Sequence, residues 1–253
     1  LQILSEFLSK YYNKSVILLI DEYDVPMARA TSNGYYKEML EIMKGFMQAL
    51  KDNQCIKLAV ITGCLKIAKE SIFTGTNNFV SNTITSSRLN EYYGFVQNEV
   101  DRILEDAEIK GKGDIMKKWY DGYHFGDVDV YCPWDVMCYV DDLQKNPNAK
   151  PDEYWKDTSD NAIIRSFIDY AGASITKKLE TLMNGGYIIQ RVDENLTYDY
   201  LHSSEENLWS LMYLTGYLTQ VRDYKIDDGW QDNMVALKIP NLEIKQIFET
   251  EVS

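Results

Sequence analysis

The sequence predicts an α/β fold: a parallel sheet near the amino terminus, a mainly helical middle, and a closing segment of two helices and a hairpin. Three observations predict it. Two short apolar runs rich in β-branched residues, 16–20 and 56–62, flank an amphipathic helix. Beyond about Phe95 the apolar residues take helical spacing. From Ile175 onward two helical stretches precede a pair of strand-like runs separated by a turn sequence.

Each element follows from its pattern. Ile3, Leu4, Phe7, Leu8 and Tyr11 mark one face of an opening helix. Val16–Ile20 is continuously apolar, as expected of a strand covered on both faces. After a loop, Tyr36, Met39, Leu40, Met43, Phe46, Met47 and Leu50 recur at three- and four-residue intervals, so the Met stripe belongs to a core-facing helix. The second strand, 56–62, is closed by Gly63. Strand, helix and strand of these lengths make a βαβ unit with parallel pairing and a right-handed crossover.

Val96, Val100, Ile103, Leu104 and Ala107 then give a helix, broken at Gly111-Lys112-Gly113. A short helix over 114–120 runs into the Gly/aromatic segment Trp119-Tyr120-Asp121-Gly122-Tyr123-His124-Phe125-Gly126, a packing motif or a partner surface. Asn146-Pro147-Asn148 through Pro151 is a loop. Ile175, Leu179, Leu182 and Met183 form a helix ended by Asn184-Gly185-Gly186. Ser203-Ser204-Glu205-Glu206 reads as a capping box before a helix through Leu214. Runs 216–221 and 235–239 are hairpin strands around Asp227-Asp228-Gly229, the second stopped by Pro240. Two helices and a hairpin outline a winged helix. The expected segments are 1–95, carrying the sheet, 96–170, a helical lid region, and 171–253, the winged-helix-like part.

Composition narrows the function. Of 253 residues, 45% are hydrophobic, enough for a sizeable core in one large domain or two small ones. The net charge of -13 repels a phosphate backbone on average and argues against wholesale nucleic-acid binding. Cys55, Cys64, Cys132 and Cys138 form no CxxC pair, and with only His124 and His202 no clustered zinc ligands arise. Sparse cysteines suit a reducing cytoplasm. No apolar run reaches the ~18 residues of a membrane span, and no signal peptide is expected.

The sharpest chemical signal is Leu18-Leu19-Ile20-Asp21-Glu22-Tyr23-Asp24. An apolar strand ending in consecutive carboxylates is costly unless the charges meet a cation or water. At a strand's carboxyl end they reach the crevice where open α/β sheets bind ligands. In P-loop enzymes the first acid of such a Walker B strand helps hold Mg²⁺, and the second polarises the attacking water. The same pattern also fits a strand whose polar end caps the next loop, and taken alone it does not choose. Thr62, ending the neighbouring strand, reads alone as a turn residue; paired with the acidic strand one βαβ unit earlier it favours the nucleotide site, where a hydroxyl can hydrogen-bond a γ-phosphate or a catalytic water.

Together with other motifs these residues resemble the predicted AAA-ATPase-like proteins, often joined to a carboxyl-terminal PD-(D/E)XK nuclease-like domain. The resemblance spans nearly the whole chain. It rests on Leu19-Ile20-Asp21-Glu22-Tyr23-Asp24-Val25-Pro26 and on Thr62-Gly63-Cys64-Leu65-Lys66-Ile67-Ala68-Lys69-Glu70-Ser71-Ile72-Phe73 with Asn77-Asn78. It continues through Tyr120-Asp121-Gly122-Tyr123-His124-Phe125, Leu214-Thr215-Gly216-Tyr217-Leu218-Thr219 and Ile239-Pro240-Asn241. It implies a partial P-loop NTPase sheet, a helical lid and a winged-helix-like segment. It places Asp21 at the metal, Glu22 and Thr62 in catalysis, and Lys66 beside the nucleotide, with ATP and Mg²⁺ as cofactors.

Two departures follow. No Gly-x-x-x-x-Gly-Lys-Ser/Thr loop precedes the acidic strand, so the backbone amides and Lys of a Walker A loop are missing. Some relatives carry Arg where Lys66 stands; Lys keeps the charge but loses the bidentate fork. The expectation is an internal piece of an ATP-dependent switch that does not itself hydrolyse ATP. The alternative is a degenerate ATPase fold acting as a protein- or DNA-binding module, and an Asp21/Glu22/Asp24 nuclease site ranks last because no distal Asp/Glu-x-Lys strand appears. Lys66, Lys69 and Arg88 read as solvated charges, and His124 as a hydrogen-bonded structural residue. The expected partner is a protein or nucleic acid, not a membrane, with self-association through an incomplete sheet edge.

Overall fold

The computed structural model describes residues 1–51, 53–65, 79–155, 172–196, 204–222, 224 and 234–252. The chain divides into two compact units, Leu1–Ser81 with Asp193–Asn207, and Asn82–Val192 with Leu208–Ser253. The fold is mixed α/β, with small sheets that include a parallel pair.

The first unit contains α1 (Gln2–Tyr12), β1 (Val16–Ile20), α2 (Val25–Ser32), α3 (Tyr36–Gln48) and β2 (Ile56–Ile61). β1 and β2 pair in parallel, with Leu18 opposite Ala59 and Ile20 opposite Ile61. The methionine-bearing face of α3 buries Tyr36, Leu40, Met43 and Met47 with Tyr23 and Met27, and Ile20 and Ile61 pack against this cluster. This is the core expected from the three-and-four spacing. α2 lies where the sequence predicts a loop; Pro26 in its first turn is what starts it.

The sheet is covered on one face, as an incomplete sheet implies, and not on both, as the apolar runs alone suggest. One face packs on the core, while Ile17, Leu19, Leu58 and Val60 are exposed, Leu19 at 73%. The apolar stripe of α1 is exposed too, Tyr11 at 82%. Ser5 is the buried residue of that helix, accepting from Asn53 Nδ2 at 2.9 Å and donating to the Gln2 carbonyl at 2.7 Å. A continuous apolar run expresses a capacity for two-sided burial; among the described residues the buried face packs on the cluster formed by α2 and α3.

The second unit carries α4 (Gln97–Asp106), α5 (Gly113–Tyr120), β3 (Tyr123–Phe125), β4 (Val128–Val130), α6 (Pro133–Lys145), α7 (Ala173–Met183), β5 (Ile188–Arg191), most of α8 (Glu205–Leu214), β6 (Thr219–Gln220), β7 (Met234–Lys238) and α9 (Leu242–Val252). β3 and β4 form an antiparallel hairpin through Gly126 at φ 58. β5, β7 and β6 make an antiparallel sheet in that order. The strands expected over 216–221 and 235–239 therefore pair, and the turn at Asp227-Asp228-Gly229 lies outside the described residues. β5 is an unexpected third strand.

The cap of α8 is Ser204, whose Oγ accepts the Asn207 N–H at 3.2 Å; Ser203 of the expected capping box lies outside the described residues. Two clusters fill this unit. One gathers Tyr123, Leu179, Trp209, Tyr217, Leu237 and Phe248; the other gathers Val100, Met116, Tyr120, Tyr131, Val136 and Tyr139.

Candidate functional site

The carboxyl ends of β1 and β2 lie side by side because the strands run parallel in register. The Thr62 N–H donates to the Ile20 carbonyl at 2.9 Å, and the Tyr23 N–H to the Thr62 carbonyl at 3.0 Å. That ladder carries the side chains into contact, and the Thr62 hydroxyl donates to Asp21 Oδ1. The same oxygen accepts the Glu22 N–H at 3.1 Å. Asp21, Glu22 and Thr62 are all exposed.

Glu22 takes a left-handed backbone, φ 50, an uncommon conformation for a residue with a side chain. Its carboxylate stands close enough to Cys64 to be felt there. Desolvation first, then the carboxylates of Asp24 and Glu22, push the Cys64 thiol pKa up. Lys66 and Lys69 lie outside the described residues. Arg88 is exposed, ahead of the short 3₁₀ turn Asn90–Tyr92.

Asp24 does not join the acidic edge. It is 2% exposed, and its two oxygens accept the Cys64 N–H at 3.2 Å and the Leu65 N–H at 3.0 Å. Beside it the Tyr23 hydroxyl donates to the Leu65 carbonyl at 2.7 Å. Sequence reading grouped Asp24 with Asp21 and Glu22. The signal that separates them is Asp24-Val25-Pro26, an acid just ahead of a helix-starting proline.

The donor set at the exposed edge fits a hard divalent cation brought in with phosphates. Asp21 offers its second carboxylate oxygen, and Mg²⁺ is commonly held by one or two carboxylates plus substrate oxygens and waters. Among the described residues no cluster of three or more His, Cys, Asp or Glu is placed to hold a metal on its own. No helix among them is long and apolar enough to cross a membrane.

In the second unit the remaining motifs meet one another. Gly122, at φ 102, lies so close to the Pro240 carbonyl that a Cβ would collide with it. The His124 N–H donates to Thr219 Oγ1 at 2.8 Å, and the Asn241 side chain caps α9 through the Ile244 N–H at 3.0 Å. Tyr120-Asp121-Gly122-Tyr123-His124-Phe125, Leu214–Thr219 and Ile239-Pro240-Asn241 are thus parts of one packed junction. His124 Nδ1 pairs with Asp129 at 2.9 Å across the β3–β4 hairpin, and Arg222 holds the other Asp129 oxygen. Burial works against the Asp129 carboxylate, but the hydrogen bonds from His124 and Arg222 outweigh it and hold its pKa below the usual value.

Two further carboxyls are fully buried: Asp135 in the first turn of α6 and Glu243 in the first turn of α9. Glu243 Oε1 accepts the Trp155 N–H at 2.9 Å. Both Asp135 oxygens and Glu243 Oε2 meet no donor as carboxylates. Burial, then the facing Asp135, pushes the Glu243 pKa up to about 9. Sequence reading gave no hint of this pair, since residues so distant in the chain carry no shared pattern.

Residues 1–73 match the family model described as "Predicted AAA-ATPase". The match includes β1, β2, Asp21, Glu22 and Thr62. A protein of Azotobacter chroococcum mcd 1, described as an uncharacterized protein in the vnfD 5' region, is 27% identical over 233 residues, 91% of this chain. The chain spans 41% of that relative's length. No solved structure matches.

Proposed function

We propose that the chain is the central part of an AAA-ATPase-like protein in which ATP binding drives a conformational switch. Asp21 stands on the metal side of the nucleotide, Glu22 orients the attacking water, and Thr62 reads the γ-phosphate. The observation that carries this reading is the Thr62–Asp21 hydrogen bond at the ends of adjacent parallel strands. A hydroxyl and a carboxylate paired this way sit where open α/β sheets bind ligands. Asp21 has a second carboxylate oxygen that would help hold Mg²⁺ brought with ATP, and the metal would supply charge neutralisation on the phosphates.

In this reading residues 1–95 are ATPase core, 96–170 a lid region and 171–253 a winged-helix-like segment. The order α7, β5, α8, β6, β7, with β7 central in its sheet, supports the last assignment. Phosphate affinity depends largely on Walker A amides and Lys, so the 253-residue chain alone is proposed neither to bind ATP tightly nor to turn it over, with Lys66 a lesser contact. In the intact protein, Glu22→Gln is expected to slow hydrolysis by about 10²-fold or more, in the range of general-base loss. The Kd for Mg-ATP should stay within about threefold, since Glu22 acts on water, not on phosphate. Equal loss of binding and turnover would reject these roles.

One observation favours a second reading, a degenerate ATPase fold that serves as a binding module. The exposed Ile17, Leu19, Leu58 and Val60 form a ready apolar contact face. Self-association through the incomplete sheet belongs to the same reading, and Leu19→Glu should then lower the oligomeric state in sedimentation. An intact protein that shows no Mg-ATP binding by calorimetry would decide for the module.

A further inference from the structure

We infer that Asp24 is a positioning residue that ties the loop after β2 to the Asp21–Glu22 loop, so that Thr62 and the acidic pair move as one body. The inference rests on the nucleotide-site reading above for its consequence in catalysis, but the clamp itself is read from geometry.

Asp24 occupies the N-cap position of α2 yet makes no side-chain hydrogen bond to cap that helix. An aspartate there ordinarily accepts the N–H of the second or third helical residue. Its carboxylate instead faces the other strand's loop, taking the Cys64 N–H on Oδ1 and the Leu65 N–H on Oδ2. Hydrogen bonds to an ionised acceptor are the stronger kind, and these two are made by a side chain with almost no access to water.

Tyr23 adds a third tie, from its hydroxyl to the Leu65 carbonyl, and a fourth through its N–H to the Thr62 carbonyl. Gly63 lies flat between them: any Cβ would fall 2.5 Å from Asp24 Oδ1 and 2.6 Å from the Tyr23 ring. Four ties therefore hold residues 62–65, two of them made by Tyr23, the neighbour of Glu22. A carboxylate that merely satisfied two amides would need no glycine opposite and no tyrosine bridging the same loop. Because the strand ends and the loop are fastened at Asp24, displacement of residues 62–65 is transmitted to Glu22, whose left-handed backbone leaves it little slack.

The test uses Asp24→Ala and Asp24→Asn in the intact protein, with Glu22→Gln as reference. Amide hydrogen exchange should show Cys64 and Leu65 losing about tenfold or more protection in Asp24→Ala. The Tyr23 amide should follow them, while the β1–β2 ladder stays protected. In steady-state kinetics with Mg-ATP, kcat should fall by about tenfold or more with KM within about threefold, the signature of lost transition-state positioning. Asp24→Asn keeps one acceptor oxygen and should recover part of both effects.

Loss of protection at Cys64 and Leu65 with unchanged Tyr23 exchange and unchanged kcat would overturn the inference, as would a raised KM with kcat intact. If Asp24→Ala does not fold, Asp24→Asn is read on the same amides and must show a partial loss; wild-type exchange there overturns the clamp. If Glu22→Gln turns over ATP at the wild-type rate, the nucleotide-site reading falls, and the coupled exchange of Tyr23, Cys64 and Leu65 still decides the clamp.

Discussion

Gly63 leaves no room for a side chain against Asp24: the Cβ of any other residue would lie 2.5 Å from Asp24 Oδ1. The constraint is steric, since Gly63 is not among the residues with positive φ. Gly63→Ala is expected to destabilise by about 1–3 kcal/mol, as overpacking does. Asp24→Ala in the same chain removes one of the colliding atoms and leaves the Tyr23 ring at 2.6 Å, so the double variant should cost somewhat less than the sum of the singles. Thermal unfolding of the four proteins measures it, and strict additivity would show that the two residues do not press on each other.

Thr62→Val deletes the hydroxyl given to Asp21 and leaves the shape. The pair is exposed, so stability should change by less than about 0.5 kcal/mol, while ATP turnover by the intact protein should drop by at least about tenfold, a typical loss for one placed polar group. Thr62→Ser should retain most activity. A stability loss with normal turnover would make the contact a loop cap and nothing more.

Local spacing made part of this legible. The α3 face and α4 follow from three- and four-residue spacing, and the β1–β2 parallel pair from two short apolar runs flanking a helix. The site edge was legible for the same reason: Asp21 and Thr62 each end an apolar run, and parallel pairing brings such ends together. What escaped was set by tertiary context. An incompletely covered face or edge was expected of this sheet, but nothing in a continuous apolar run says which face finds a partner, so the choice of Leu19's face was not legible. The β3–β4 hairpin is three residues a side, too short to display alternation. Asp24 looked like its acidic neighbours until its burial set it apart.

Gly122 combines both glycine constraints. Its φ of 102 is a region that side chains rarely adopt, and the space beyond it is filled by the backbone carbonyl of Pro240, which has no flexible end to swing away. Gly122→Ala should therefore cost more than Gly63→Ala, about 2–4 kcal/mol from strain and collision together. Urea unfolding is the measurement. A loss below about 1 kcal/mol would mean that the junction between the two motifs yields easily.

The buried carboxyl pair makes a prediction about pH. Asp135 and Glu243 are both fully buried and face each other. Two bare carboxylates there would leave Asp135 Oδ1 and Oδ2 and Glu243 Oε2 without donors, whereas one shared proton supplies a donor and removes a charge. Burial pushes the Asp135 pKa up, and for Glu243 burial and the facing Asp135 push it from 4.5 to about 9. Cys132, Glu153, Tyr120 and Tyr123 surround the pair and add no positive charge. Between those two values the folded state holds a proton that the unfolded chain has released, so stability falls as pH rises. The contribution is fully present below about 4.5 and gone above about 9. Glu243→Gln keeps an oxygen for the Trp155 N–H and carries an amide donor toward Asp135 at every pH. Its stability should depend less on pH, and at pH 8 it should exceed the wild type by roughly 1–3 kcal/mol, the scale of a one- to two-unit shift. Urea unfolding of both proteins at pH 5, 7 and 9 gives the difference directly. Parallel profiles would mean that no proton is shared, and a Gln variant that is weaker at every pH would mean that the pair is held together by packing alone.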